Sequence, residues 1–264
     1  MRGPLERRDF LHQVAVGGAA LAGIGLPTWA QAADAPQWGN LTGRFLWNGT
    51  APPRRRLKVD RDLDFCGKFD IRDESLLVGR DGGLADVYVY VRTRAIPICP
   101  ALAEAAAKTV TLDNRDCIFK PHCLKIWHTA QELFIVNSDP IAQNVAFSPP
   151  GDAPANIVMP VGGTARYRFS RRQNSPVHIA CNYHPWESAY ILPRENPYVA
   201  ISAADGTFRI EKLPLGTWEF QAWQEQVGPL ETPAWPKGRF MATIKPGIND
   251  LGTIRLEPSH WGKQ

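Results

Sequence analysis

An excess of charge of either sign is absent from this sequence, and so are the motifs of several common enzyme classes. The 30 lysine and arginine residues nearly balance 26 acidic residues, which leaves a formal net charge of +4 in 264 residues. Nucleic-acid-binding domains carry strong basic patches, so we predict no nucleic-acid partner. The chain has no Gly-x-Ser-x-Gly, no His-Glu-x-x-His and no phosphate-binding glycine loop. We therefore predict that it is not an enzyme.

Long apolar runs are lacking beyond the N-terminus. Residues 1–32 have the features of a twin-arginine export signal: the pair Arg7 and Arg8, an apolar stretch from Val14 to Leu26, and a small-x-small cleavage site that ends at Ala32. No other segment approaches the roughly 20 apolar residues that span a bilayer. We expect a periplasmic or secreted protein, exported by the twin-arginine route, with no stable membrane span after signal cleavage.

Helix-forming stretches are scarce, and only Pro100 to Lys108 has high helix propensity. Runs rich in β-branched and aromatic residues recur instead, separated by turns that contain glycine, proline and aspartate. These runs cover residues 84–92, 133–137, 208–213 and 218–223. The pattern predicts an all-β protein of the sandwich type with one short helix.

The five cysteines are an odd number, which matters in an oxidising compartment where cysteines tend to pair. Cys181 is the natural unpaired residue because a histidine follows three positions later, and ligation would keep the thiol as a thiolate. The other four are expected to form two disulfides in any of three connectivities: Cys66, Cys99, Cys117 and Cys123. The alternative is that Cys181 is a buried apolar thiol or pairs with one of the four.

The stretch from Cys181 to Glu187 carries the strongest chemical signal. A thiol and an imidazole three residues apart, at Cys181 and His184, can close on a single metal ion. Copper suits this mixture of a soft and a borderline ligand best. The sequence therefore predicts a metal site on this loop.

Two loops resemble the ligand loops of plastocyanin-like cupredoxins. Residues 137–145 form an Asn-x-Asp segment that leads to Gln143 and Asn144, and residues 181–187 hold Cys and His in short order. The resemblance implies a cupredoxin-like Greek-key β-sandwich at residues 109–193. An N-terminal β segment with the short helix would precede it at residues 33–108.

Residues 198–218 resemble a small β-sandwich called carboxypeptidase-regulatory-like. This likeness implies a second module at residues 194–264. Residues 42–49 with Pro52 are candidates for the other half of that sandwich, and the cupredoxin would then be an insertion.

The resemblance implies copper binding and electron transfer with a redox partner protein. Cys181 falls on the thiolate ligand of the family, His184 on its second imidazole, and Asn144 on the asparagine that ties the two ligand loops together. Gln143 stands where the family has its first histidine, and Glu187 where close relatives have methionine. Two of the four ligand positions are thus replaced.

Three substitutes are physically reasonable. Glu187 can bind as a carboxylate, and Gln143 can bind through its amide oxygen. His122 is a third candidate, provided that residues 118–127 and 132–137 form a hairpin. Such a hairpin would place His122 opposite Asn137, at the strand end from which the Gln143 loop departs.

The opposing hypothesis is a metal-free β-sandwich that binds a protein or a glycan. Exposed aromatic residues would support it, and four tryptophans are candidates: Trp186, Trp223, Trp235 and Trp261. Core packing is the alternative for each of them, because aromatic residues dominate β-sandwich cores.

Overall fold

Short strands dominate the computed structural model, which describes residues 37–258 and residue 261. The predicted signal at residues 1–32 lies outside the described residues. In chain order the strands are β1 (Trp38–Trp47), β2 (Tyr88–Val91), β3 (Thr109–Arg115), β4 (Ile118–Lys120), β5 (Cys123–Trp127), β6 (Glu132–Asn137), β7 (Gln143–Phe147), β8 (Ala155–Met159), β9 (Thr164–Tyr167), β10 (Val177–Ala180), β11 (Ser188–Arg194), β12 (Val199–Ile201), β13 (Thr207–Pro214), β14 (Gly216–Gln224), β15 (Gly228–Pro229), β16 (Arg239–Ile244) and β17 (Gly247–Leu256). The helices are α1 (Leu63–Cys66) and α2 (Pro100–Ala105), with a 3-10 turn at Pro236–Gly238. The described part of the chain is an all-β sandwich structure, as predicted.

Within the described ranges, the strands pair into four sheets. Their orders are β13-β1-β17, β5-β11-β10-β7-β8, β12-β2-β14-β15 with β16 beside β14, and β4-β3-β6-β9. β1 pairs antiparallel with β13 and parallel with β17. The first described strand therefore belongs to the same sheet as two strands near the C-terminus. The domain boundaries at residues 108 and 193 remain predictions.

Two large hydrophobic clusters fill the sandwich. One combines residues 41–96 with residues 198–261 and includes Leu41, Phe45 and Phe220. The other lies within residues 112–191 and includes Cys181. Strand alternation explains both clusters, as in β6, where every second residue is buried. The predicted metal-binding loop thus borders the second cluster.

The predicted strands and helix exist, but two of them are shorter than the sequence suggests. β2 begins only at Tyr88, because Asp86 adopts a left-handed backbone conformation (φ 59°) that interrupts the extended run. α2 ends at Ala105, because Ala106 is extended and the Lys108 carbonyl accepts a hydrogen bond from the Glu132 amide at 3.0 Å. Pairing of β3 with β6 therefore overrides helix propensity. α1 was not predicted.

The predicted hairpin between residues 118–127 and 132–137 is wrong. A turn does follow Trp127, but β5 pairs in parallel with β11 while β6 pairs in parallel with β3 in another sheet. Leu124 of β5 and Leu133 of β6 are buried in the same cluster. The turn therefore carries the chain from one sheet to another, where both strands pack into one core.

The cysteines only partly follow the prediction. Cys66 and Cys117 form a disulfide, and Cys181 is free as expected. The second predicted disulfide is wrong, because Cys99 and Cys123 are both free and buried. Cys123 packs in a cluster of apolar and aromatic residues, so its burial needs no disulfide to explain it.

Residues 57–71 form a loop that we call the cap loop. An isolated β-bridge between Arg56 and Arg72 closes its base, and the Leu57 amide donates to the Ile71 carbonyl at 2.9 Å. The loop contains α1 and one partner of the disulfide, Cys66.

None of the helices in the described residues is long and apolar enough to span a membrane.

Candidate metal centre

The candidate site lies at one end of neighbouring strands. Cys181 directly follows β10, Glu187 directly precedes β11, and Gln143 begins β7. β10 pairs with both β7 and β11, so the sheet itself brings these positions together. Between Cys181 and Glu187 the chain makes a tight turn, in which the Glu187 amide donates to the His184 carbonyl at 2.9 Å.

Three donor atoms converge on His184 Nδ1, which is itself the fourth donor. Cys181 Sγ lies 3.8 Å from it, Gln143 Oε1 lies 2.7 Å from it, and Glu187 Oε1 lies 3.1 Å from it. Gln143 Oε1 is also 3.7 Å from Cys181 Sγ. The ligand atoms of Cys181, His184 and Glu187 all lie within 4.8 Å of one another. The structure thus brings together four of the five predicted ligand residues.

All four of these residues are buried: Gln143, Cys181, His184 and Glu187. Burial disfavours the imidazolium of His184, but hydrogen bonds to Cys181, Glu187 and Asp62 outweigh it and raise its pKa to about 10. Burial also raises the pKa of Glu187, and the neighbouring His184 opposes that shift only in part. The acceptor groups around the ring thus favour the protonated form of His184.

A polar shell holds the donors in place. Asn114 Nδ2 donates to Glu187 Oε2 at 3.2 Å, and Gln143 Nε2 donates to Asp139 Oδ2 at 2.9 Å. Asp139 in turn accepts the backbone amides of Asp116 and Cys117 at 2.7 and 3.0 Å. These bonds leave Gln143 Oε1 and Glu187 Oε1 directed toward the centre of the cluster.

The donor set fits a metal ion. Glu187 Oε1 is buried, and the polar contact it makes is with His184 Nδ1 at 3.1 Å. A buried carboxylate oxygen left without a hydrogen bond is costly unless it is paired or coordinates a cation. A thiolate, an imidazole nitrogen and a carboxylate oxygen are all common metal ligands.

Asn144 lies next to the cluster. Its Oδ1 accepts the backbone amide of Asn182 at 3.0 Å, and its Nδ2 donates to Asn156 Oδ1 at 2.7 Å. Asn144 therefore connects β7 to the loop that carries Cys181. This contact is the one expected of a residue that does not bind the metal itself but holds the loop that carries a ligand.

His122 does not lie at this site. Its Nδ1 is 3.0 Å from the Ser188 carbonyl oxygen, and its Nε2 contacts a carboxylate oxygen of Glu225. The prediction that placed it near Gln143 depended on the hairpin, which does not form. Burial lowers the pKa of His122, but the Glu225 carboxylate more than compensates and raises it.

The four candidate tryptophans do not form an exposed binding surface. Trp186, Trp223, Trp235 and Trp261 are all buried. Trp186 packs beside His184, with ring centroids 5.0 Å apart. The observation that would have supported a metal-free binding module is therefore not found.

Three residues of the site were missed by sequence reasoning: Asp62, Asn114 and Asp139. Asp62 Oδ2 lies 2.8 Å from His184 Nε2, although 122 residues separate them in sequence. The Asn137-Ser138-Asp139 segment did carry a signal for Asp139. No local pattern marks Asp62 or Asn114, because each reaches the site through long-range packing.

Comparison with known proteins gives partial matches. No protein-family model and no curated protein matches the chain. The structure of the copper-containing nitrite reductase from Thermus scotoductus SA-01 matches 38% of this chain at 20% identity and TM-score 0.31, and the chain spans 27% of that protein. An amicyanin variant in its Cu(I) form matches 40% of this chain and 98% of its own, at 14% identity and TM-score 0.28. A purple cupredoxin from Nitrosopumilus maritimus matches 32% of this chain and 98% of its own, at 14% identity and TM-score 0.26.

These matches correct one prediction from the sequence. The chain was predicted not to be an enzyme, yet one of the matched structures is a nitrite reductase, which is an enzyme. That prediction is therefore withdrawn. No comparison supports the carboxypeptidase-regulatory-like module.

Proposed function

We propose that this protein binds one copper ion through Cys181, His184, Glu187 and Gln143. The observation that carries the proposal is the convergence of four buried donor atoms, in which Glu187 Oε1 and Gln143 Oε1 both face His184 Nδ1 beside the Cys181 thiol. His184 would bind through Nδ1, which faces the other donors, while its Nε2 remains with Asp62. Metal binding must displace a proton from Nδ1, because only the neutral imidazole has a free lone pair.

Copper is favoured over other divalent metals by the chemistry of the donors. A given nitrogen, oxygen and sulfur site generally binds Cu²⁺ more tightly than Zn²⁺ or the earlier first-row ions. A thiolate also suits Cu⁺, whereas the Glu187 carboxylate and the Gln143 amide oxygen are hard donors. Zn²⁺ accepts the same ligands and is therefore the metal against which copper must be compared.

Electron transfer to a redox partner protein is the second part of the proposal. Bound copper would supply a one-electron redox couple, and the protein would supply the dry, fixed surroundings. The donors lie in a cluster closed to water, and Asn114 and Asp139 hold two of them by hydrogen bonds. Fixed ligands favour rapid electron transfer because little rearrangement accompanies the change of oxidation state.

Export by the twin-arginine route is part of the same proposal. The support is the pattern at residues 1–32 together with the disulfide between Cys66 and Cys117. Disulfides persist in oxidising compartments and are rare in the cytosol. The twin-arginine route also suits a protein that takes up a cofactor before transport.

The test is a metal titration of the mature chain, residues 33–264, with Cu²⁺, Cu⁺ and Zn²⁺ in parallel. We expect one copper per chain, with an absorption band from the thiolate ligand. Cys181→Ser should abolish the band and most of the affinity. Cys99→Ser is the matched control, because it removes another buried free thiol and leaves the site intact.

Glu187→Gln tests the unusual ligand separately. It keeps the size of the side chain but removes its charge, so the copper Kd should rise at least about tenfold, or about 1.4 kcal/mol. Glu104→Gln, at an exposed position of α2, should leave Kd unchanged. Tight zinc binding without copper binding, or copper binding that survives Cys181→Ser, would overturn the proposal.

A further inference from the structure

The cap loop covers the candidate metal centre. His184 has no exposed side-chain surface, whereas the side chain of Asp62, which contacts it, is 48% exposed. Asp62 therefore lies between His184 and solvent. It adopts a left-handed conformation (φ 47°) just before α1, and its carboxylate reaches His184 Nε2.

Asp62 completes the hydrogen bonding of His184. The Nδ1 side of the ring faces Cys181, Gln143 and Glu187, and the Nε2 side faces Asp62 Oδ2 at 2.8 Å. A carboxylate on the far nitrogen of a metal-bound histidine fixes the ring and increases its basicity. Asp62 is placed to fix the His184 ring and to increase its basicity. It does so from the cap loop, which is separate from the two ligand loops at residues 137–145 and 181–187.

The cap loop is attached to the site at a few points. The disulfide joins Cys66 to Cys117, and Arg61 Nη1 donates to the Tyr183 carbonyl at 3.1 Å. Phe65 and Phe69 pack in a cluster with Trp186, the neighbour of His184 in space. Most of the turn itself is exposed, including residues 60–64.

The disulfide also reaches the ligand network. The amide of Cys117 donates to Asp139, and Asp139 accepts from Gln143 Nε2. By contrast, the strands that carry the ligands are tied into the sheet: β10 is paired on both sides, with β7 and β11. The cap loop is held over the site by the disulfide and side-chain contacts and, apart from the bridge at its base, not by strand pairing. Segments with exposed backbone and few strand hydrogen bonds open locally before paired strands do.

We propose that the cap loop controls metal exchange, with the disulfide holding it closed and Asp62 positioning His184. This inference rests on the proposed function for the identity of the metal, but closure of the site does not require metal. Access to Cys181 requires Asp62 to leave His184. Loss of the disulfide or of the Asp62 carboxylate opens the same route.

The first experiment measures closure in the metal-free protein. Alkylation of each free thiol by iodoacetamide is followed by peptide mass spectrometry in the wild type, Asp62→Ala, and the double variant Cys66→Ser with Cys117→Ser. Cys181 should react at least tenfold faster in both variants. Asp64→Ala, a change at an exposed position of α1 in the same cap loop, should not alter the rate.

Cys99 and Cys123 serve as internal controls, because both are buried free thiols outside the cap loop. They should stay protected in every variant. If all three thiols become reactive together, the variants unfold globally and the inference is overturned. It is equally overturned if Cys181 reacts at the wild-type rate in both variants.

The second experiment measures copper release to a chelator. Asp62→Ala and the double serine variant should release copper at least tenfold faster, while Asp62→Asn, whose amide oxygen still accepts from Nε2, should stay near the wild-type rate. A merely structural defect would not be rescued in this way. If neither the wild type nor any variant binds copper, but Cys181 still reacts faster in the two variants, the proposed function is wrong and the role of the cap loop in closing the site is supported. If copper binds and is released at the same rate by the wild type and all variants, the inference that the cap loop controls metal exchange is overturned.

Discussion

Single residues of this protein carry charge in places where water is scarce. Glu187 and His184 are buried side by side, and both have raised pKa values, Glu187 through burial and His184 through its hydrogen bonds against the effect of burial. Asp86 is a third such residue, away from the candidate metal centre. Burial raises its pKa to about 6, and the nearby His122 lowers it only in part. Each of these groups makes stability or binding depend on pH.

Asp86→Asn should stabilise the protein at pH 8. The pKa of the Asp86 carboxyl is 3.8 in the unfolded chain and about 6 in the folded protein. Between these values the folded state holds more protons, so the free energy of unfolding falls as pH rises. Asparagine carries no charge, so its burial does not lower the free energy of unfolding at high pH. It also tolerates the left-handed backbone conformation at this position.

The expected gain at pH 8 is at most about 3 kcal/mol, since one pKa unit corresponds to about 1.36 kcal/mol. Urea unfolding at pH 4 and pH 8 measures it, and the advantage should shrink at pH 4. Asp64→Asn, at an exposed position, is the control. Equal stability of Asp86→Asn and wild type at pH 8 would contradict the explanation by buried charge.

At the level of elements, β10 is central to the candidate metal centre and the cap loop closes it. β10 places Cys181 beside the ends of β7 and β11, which supply Gln143 and Glu187. The cap loop adds Asp62 from outside the sheet. The disulfide between Cys66 and Cys117 links the cap loop covalently to the turn between β3 and β4.

Removal of that disulfide should lower the free energy of unfolding by about 2–4 kcal/mol. The two cysteines are 51 residues apart, so the bond restricts a long segment of the unfolded chain. Chemical denaturation of the double serine variant measures the loss. A dithiol reductant added to the wild type should produce the same midpoint. An unchanged midpoint in both cases would show that the bond does not restrict the unfolded chain.

At the level of the whole molecule, two of the four hydrophobic clusters in the described residues are large. The cluster within residues 112–191 contains Cys181, so the candidate metal centre and this core share a side chain. The other cluster joins the two ends of the described chain. A metal that binds only the folded state should therefore directly stabilise the cluster that contains Cys181.

Copper should raise the melting temperature of the mature protein. Free copper at about 100 times Kd adds about 2.7 kcal/mol to the free energy of unfolding. For a chain of this size that corresponds to roughly 5–11 °C. Calorimetry with and without copper measures the shift, which Cys99→Ser should keep and Cys181→Ser should lose. A shift of equal size in both variants would place the metal elsewhere.

The sequence alone determined the parts of this protein that depend on local chemistry. Alternating runs such as residues 208–213 predicted strands, because the period of a half-buried strand is visible in the residues themselves. The short spacing of Cys181, His184 and Glu187 placed three donors on one turn, and that turn brings them together. Little long-range information is needed for such features.

Only the tertiary structure decided which distant residues meet. The hairpin that would have brought His122 to the site does not form, because β5 and β6 find parallel partners in different sheets. Cys66 pairs with Cys117 although four cysteines allowed three arrangements. Asp62 and Asn114 reach the site from 122 and 73 residues away. Such contacts follow from the packing of whole sheets, which local patterns do not encode.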